Sequence, residues 1–177
     1  FENELIADIN TSISEISKLQ FSSGNFPSSI SKREKDELVH FCHGATGAVY
    51  LYALAYTVFK DEKFMKIMLK CGETIWERGL LNKGNGICHG IAGNSYALFK
   101  IYSITNDSEW LNKSLCFAYA TIDPNIQEIV SKYDDPQRYK IGIPDTPYSL
   151  MEGNGGALVL YSDLLSQNMK FPGFEII

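Results

Sequence analysis

A chain of 177 residues suits one domain and is long enough to bury about 70% of its unfolded surface. Apolar residues make up 45% and charged residues 21%, a globular balance that excludes a disordered chain. The formal charge of −5 argues against a phosphate-binding surface, so no nucleic-acid partner is expected.

The chain opens on Phe1 and an amphipathic pattern begins almost at once, so it reads as a piece of a longer protein. Ile6, Ile9, Ile13, Ile16 and Leu19, at steps of three and four, predict a helix over 3–19. Gly24, Pro27 and several serines form a connection. The charge run Lys32-Arg33-Glu34-Lys35-Asp36-Glu37 mixes both signs and reads as a solvated helix start. A second helix is predicted from Ala45 to Phe59. Asp61 can cap a third, with Phe64, Ile67, Met68, Cys71, Ile75 and Trp76 on its buried side and Gly79 as its stop. Helices over 90–102 and 108–122 follow. Residues 123–147 carry four prolines and scattered charge, which predicts a long irregular excursion. A last helix runs from Gly155 to about Leu165. No alternating strand is bounded by hairpin turns, so the class is all-α.

No apolar run approaches the ~20 residues that cross a bilayer, and no signal peptide opens the chain, so no transmembrane segment is expected. The cysteines stand at 42, 71, 88 and 116 without tight framework spacing, which favours a reduced, cytoplasmic setting.

Aligning the glycines uncovers a repeat. Cys42-His43-Gly44-Ala45-Thr46-Gly47, Cys88-His89-Gly90-Ile91-Ala92-Gly93 and Met151-Glu152-Gly153-Asn154-Gly155-Gly156 each place G-x-x-G before an apolar helix. Periods of this size mark stacked helical hairpins. Glycine weakens a helix by up to about 1 kcal/mol relative to alanine, so its recurrence implies close backbone approach at these starts.

Two of the three turns open with Cys-His. Zinc favours thiolate and imidazole, and a catalytic site keeps three protein ligands with one open position. Cys42, Cys88 and His89 would supply two sulfurs and a nitrogen from equivalent turns. Cys71 and Cys116, on apolar helix faces, read as small core residues.

At these residues the chain resembles the LanC-like family, the eukaryotic relatives of bacterial lanthionine synthetase cyclases. The matching stretches are His40-Phe41-Cys42-His43-Gly44-Ala45-Thr46-Gly47, residues 79–94 around Cys88-His89-Gly90, and Pro144-Asp145-Thr146-Pro147-Tyr148-Ser149-Leu150-Met151-Glu152-Gly153. Ser23-Gly24-Asn25-Phe26-Pro27 and the ending Lys170-Phe171-Pro172-Gly173-Phe174-Glu175 fit as well.

The resemblance implies an α/α toroid, a double ring of helical hairpins with one zinc ion at the end of its cavity. The whole chain, 1–177, would then be a single domain, the C-terminal portion of that toroid, with turns near 44–47, 90–93 and 153–156. It implies Cys42, Cys88 and His89 as the zinc ligands, and a zinc-activated thiol that adds to dehydroamino acids. Glutathione is the thiol expected for the eukaryotic members, with dehydroamino-acid-containing peptides or proteins as its acceptors. His43 matches a position open to an acid/base role or to a supporting hydrogen bond. Lys83 matches a lysine associated with glutathione, and the reading as an ordinary loop lysine stays open beside it. Two functions remain in play: a zinc-dependent thioether-forming enzyme, and a non-catalytic signalling or adaptor protein that holds zinc and glutathione only as ligands. The acid/base residues of earlier repeats lie outside these residues, so the fragment alone is expected to be inactive.

Overall fold

A computed structural model describes residues 2–132 and 146–175. Their regular structure is all helical: α1 (Glu2–Ser17), a 3-10 turn (Ile30–Lys32), α2 (Ala45–Phe59), α3 (Glu62–Arg78), α4 (Ile91–Thr105), α5 (Ser108–Ala120), α6 (Pro124–Lys132) and α7 (Asn154–Ser166).

The hairpins α2–α3 and α4–α5 are built alike. Lys60 and Asn106 end α2 and α4 in left-handed conformation, φ 55° and 56°, and their amides return to the Tyr56 and Tyr102 carbonyls. The next residues, Asp61 and Asp107, cap α3 and α5, each accepting at 2.9 Å from the amide two residues on. The same two-residue device reverses the chain twice.

The helices form two layers. α2, α4 and α7, each following a G-x-x-G turn, lie in a row with α4 in the middle. α3 packs over the groove between α2 and α4, and α5 over that between α4 and α7. α4 therefore has neighbours on several sides, and every residue from Ile91 to Leu98 is buried. α3 is amphipathic instead: Phe64, Met68, Cys71 and Ile75 face the core while its charges face outward. On α1 only Ile13 is buried, while Ile6, Ile9 and Ile16 are 46%, 44% and 41% exposed.

Four expectations need correction. The segment 123–147 is not irregular throughout, because Pro124 opens α6. Its missing N–H is lost at a position where no helical partner exists, and Asp123 Oδ1 accepts from the amides of Asn125 and Ile126. Residues 133–145 lie outside the described residues. The run 32–37 starts no helix beyond the short 3-10 turn. Asp36 instead turns in to Ser23, Asn25 and Arg78, where three donors satisfy it better than water on a helix surface would. Cys116 is exposed, since α5 presents Ser114 and Phe117 to the core and that face excludes residue 116. Trp76 is 42% exposed because it lies at the rim of α3, its ring 6.0 Å from Phe117 and near the Lys113 ammonium.

Candidate metal centre

Each apolar inner helix begins where a loop has folded back onto it. Gly44 has φ 117°, a conformation closed to residues with a Cβ, and a Cβ there would sit 2.1 Å from the Leu38 carbonyl oxygen. At the second glycine of the first two turns, a Cβ on Gly47 would meet the Phe41 carbonyl oxygen at 2.2 Å, and one on Gly93 the Ile87 carbonyl oxygen at 2.0 Å. The loop carrying each Cys-His pair can press on its helix only because those positions have no side chain. Gly44 offers no cap of its own, so Asn25, wholly buried, does the capping: its Oδ1 accepts from the Ala45 amide at 2.7 Å, while its Nδ2 donates to Asp36 and to the Leu38 carbonyl.

The three turns are joined through their backbones. The Phe41 amide donates to the Cys88 carbonyl at 2.8 Å, and the Cys88 amide donates to the Met151 carbonyl at 2.9 Å. Residues far apart in sequence thereby become neighbours at one end of the helix row. The first turn is also held from its other side. Phe41 stacks on Phe171 at 4.2 Å between ring centroids, and Phe174 lies 4.7 Å away at a tilt.

This geometry brings Cys42, Cys88 and His89 together, with one ligand atom from each all within 4.8 Å of one another. Ligands of a tetrahedral zinc lie about 3.3–3.8 Å apart, so small side-chain rotations close the set. Two thiols and an imidazole are also the donors that this metal prefers. The residues fit zinc.

The two thiols hydrogen-bond to each other and ionise as a pair. That bond pushes Cys42 far above the ordinary thiol range, reinforced by burial and by the charge on Cys88, with the Lys83 ammonium pulling weakly the other way. The same bond draws Cys88 down to about 5, against burial and with help from His89. One sulfur therefore gives up its proton readily and the second reluctantly.

His43 is exposed at the rim, its Nδ1 3.2 Å from Cys42 Sγ. Lys83 is half-buried in the loop before Cys88. Cys71 lies in the core of α3, away from this cluster, and none of the four cysteines is in a disulfide. An apolar cavity of about 290 Å³ opens beside Cys42, lined in part by Leu19, Phe26, Ile30 and Phe41.

Two residues escape a reading of the sequence. The His40 ring, nearly buried, lies 5.6 Å from that of His89. Glu152 places Oε1 3.8 Å from His89 Nε2. Glu152 occupies the slot in the third turn that His43 and His89 occupy in the first two, and that alignment is the available signal.

A model of the family "Lanthionine synthetase C-like protein" matches residues 2–176. The chain is 36% identical over 176 residues to Glutathione S-transferase LANCL1 of Danio rerio, covering 99% of this chain and 40% of that protein. It is 35% identical over 156 residues to LanC-like protein GCL1 of Arabidopsis thaliana, covering 87% of this chain and 34% of the relative. The chain thus spans well under half the length of these relatives. Among the described residues no helix is long and apolar enough to cross a membrane.

Proposed function

The chain belongs to the lanthionine synthetase C-like family, and we propose that it is the zinc-holding C-terminal portion of an α/α toroid whose complete protein adds glutathione to dehydroamino acids. The convergence of Cys42, Cys88 and His89 from two turns of one repeat carries this reading. The exposed apolar stripe of α1 supports the toroid, since a preceding hairpin would cover Ile6, Ile9 and Ile16. The name of the zebrafish relative, a glutathione S-transferase, supports glutathione as the thiol.

Zinc, when bound, would supply the positive charge that lets a substrate thiol ionise at neutral pH. The chain's own residues would do the rest. Cys42 and Cys88 bring two sulfurs from separate turns and, with His89, would hold the ion. Lys83, close enough to act on Cys42 electrostatically, would hold a glutathione carboxylate. Addition of a thiolate to the β-carbon of dehydroalanine forms a C–S bond and leaves an α-carbon that must take up a proton. His43, exposed beside Cys42, would give or relay it.

The deciding experiment incubates the complete protein with zinc, glutathione and a dehydroalanine peptide and follows the peptide's mass. A gain of one glutathione that disappears with Cys88→Ala supports the enzyme. Glutathione binding with no mass gain assigns the protein a ligand-holding role instead. Neither binding nor product removes the proposal.

A further inference from the structure

The segment Thr146-Pro147-Tyr148-Ser149-Leu150-Met151-Glu152 has so far been given a structural tie to the site but no chemical role, yet it returns to His89. It carries neither thiol nor imidazole at the Cys-His slot, where Met151 and Glu152 stand. What it delivers is a carboxylate behind the imidazole. Glu152 Oε1 lies 3.8 Å from His89 Nε2, and the side chains are only 26% and 16% exposed. The other carboxylate oxygen, Oε2, lies 2.9 Å from Thr146 Oγ1, which lies 2.9 Å from Ser149 Oγ in turn. Ser149 Oγ also accepts from the Glu152 amide at 3.2 Å. The carboxylate is thus held by its own turn rather than free to wander. That turn is tied to the His89 loop by the backbone bonds from Ile87 to Leu150 and from Cys88 to Met151.

The two nitrogens of an imidazole stand on opposite edges. With Nε2 toward Glu152, Nδ1 would be the nitrogen left for the Cys42 and Cys88 sulfurs. We propose that Glu152 is a positioning residue for His89: its carboxylate takes the Nε2–H, fixes the tautomer with a bare Nδ1, and aims that nitrogen at the two sulfurs. An oriented ligand imidazole also holds a metal more tightly than one free to turn. At 3.8 Å the contact is an ion-pair distance rather than a hydrogen bond, and a small rotation of either side chain closes it. The inference rests on His89 being a zinc ligand, but its first test needs no metal.

In the metal-free complete protein, long-range proton–nitrogen correlation spectra of His89 should show the Nε2–H tautomer. Glu152→Ala should return the ring to a mixture. Zinc affinity, measured by competition with a chromophoric chelator using zinc alone, should fall about 10–100-fold in Glu152→Ala. Glu152→Gln keeps an acceptor oxygen without its charge, so its affinity should lie between the two. Thr146→Val, which frees the carboxylate, should also lower affinity. A Nδ1–H tautomer in the wild type would overturn the proposal, as would equal zinc affinity in wild type and Glu152→Ala. If Glu152→Ala does not fold, wild-type zinc affinity in both a folded Glu152→Gln and Thr146→Val overturns it. A wild type that shows the Nε2–H tautomer but binds no zinc would count against the metal site, while leaving the Glu152–His89 pairing standing.

Discussion

The Thr46 hydroxyl donates to Asn94 Oδ1 at 2.5 Å, joining α2 to α4 where neither residue is more than 1% exposed. Asn94 Nδ2 donates in turn to the Gly79 carbonyl at 2.8 Å, so one amide ties two inner helices and the end of α3. Removing either partner strands the other without water to replace it. Thr46→Val and Asn94→Ala should each cost about 1–3 kcal/mol in urea denaturation, and the double variant should cost less than their sum. Additive losses would mean that the two side chains act independently.

Glycine at the first turn is required twice over, by its dihedral angle and by its neighbour. Gly173 separates these causes: its φ is 81°, but a Cβ there would have open space, with nothing within 4 Å. Gly173→Ala should cost about 1–2 kcal/mol from backbone strain alone. Gly44→Ala adds a collision with the Leu38 carbonyl and should cost clearly more. Equal losses in thermal melts would show that the loop shifts freely.

Metal content separates Cys42 and Cys88 from Cys116. The complete protein should carry about one zinc per chain by elemental spectroscopy, and Cys42→Ala or Cys88→Ala should lose it. Cys116→Ala, an exposed thiol remote in role, should keep it. Zinc retained in Cys88→Ala would refute the ligand assignment.

Lys83→Ala should weaken glutathione binding while zinc stays in place. A charge-assisted hydrogen bond is worth about 1.5–3 kcal/mol, roughly tenfold to a hundredfold in affinity. Calorimetric titration of the complete protein measures it, and unchanged affinity would return Lys83 to the ordinary loop lysines.

Asp36 gives the fold an acid-sensitive joint. Burial raises its carboxyl, but hydrogen bonds from Ser23, Asn25 and Arg78, with the Arg78 charge, more than offset this and hold it below the usual range. A depressed carboxyl stabilises the fold in full above its unfolded value, about 3.9, and that stabilisation is lost as pH falls through the lower folded value. Asp36→Asn should therefore lower the melting temperature near pH 7, and its gap from wild type should close at the acid end. A gap independent of pH would show that the charge contributes nothing.

Helices are legible in the sequence where local signals suffice. Ala45–Phe59 and the Asp61 cap follow from apolar density and a capping residue, and both stand in the structure. α6 is hidden when prolines are counted rather than placed: Pro124 after Asp123 starts a helix, whereas proline deeper inside would break one. In the site, the doubled Cys-His-Gly is legible, but its meeting point is not. The backbone bonds from Phe41 to Cys88 and from Cys88 to Met151 join residues whose spacing carries no pairing code. Glu152 sits in plain alignment with His89, yet only packing reveals which side of the imidazole it approaches.

The stacking of Phe41 on Phe171 sets an order of events during synthesis. The ring that braces the Cys42 turn leaves the ribosome about 130 residues after the turn itself, on the order of ten seconds or more at ordinary elongation rates. Until then Phe41 has only the edge contact with Tyr50, and the Cys42 turn waits in a half-made loop. A nascent chain thus carries the Cys42 thiol on an unbraced loop throughout that interval.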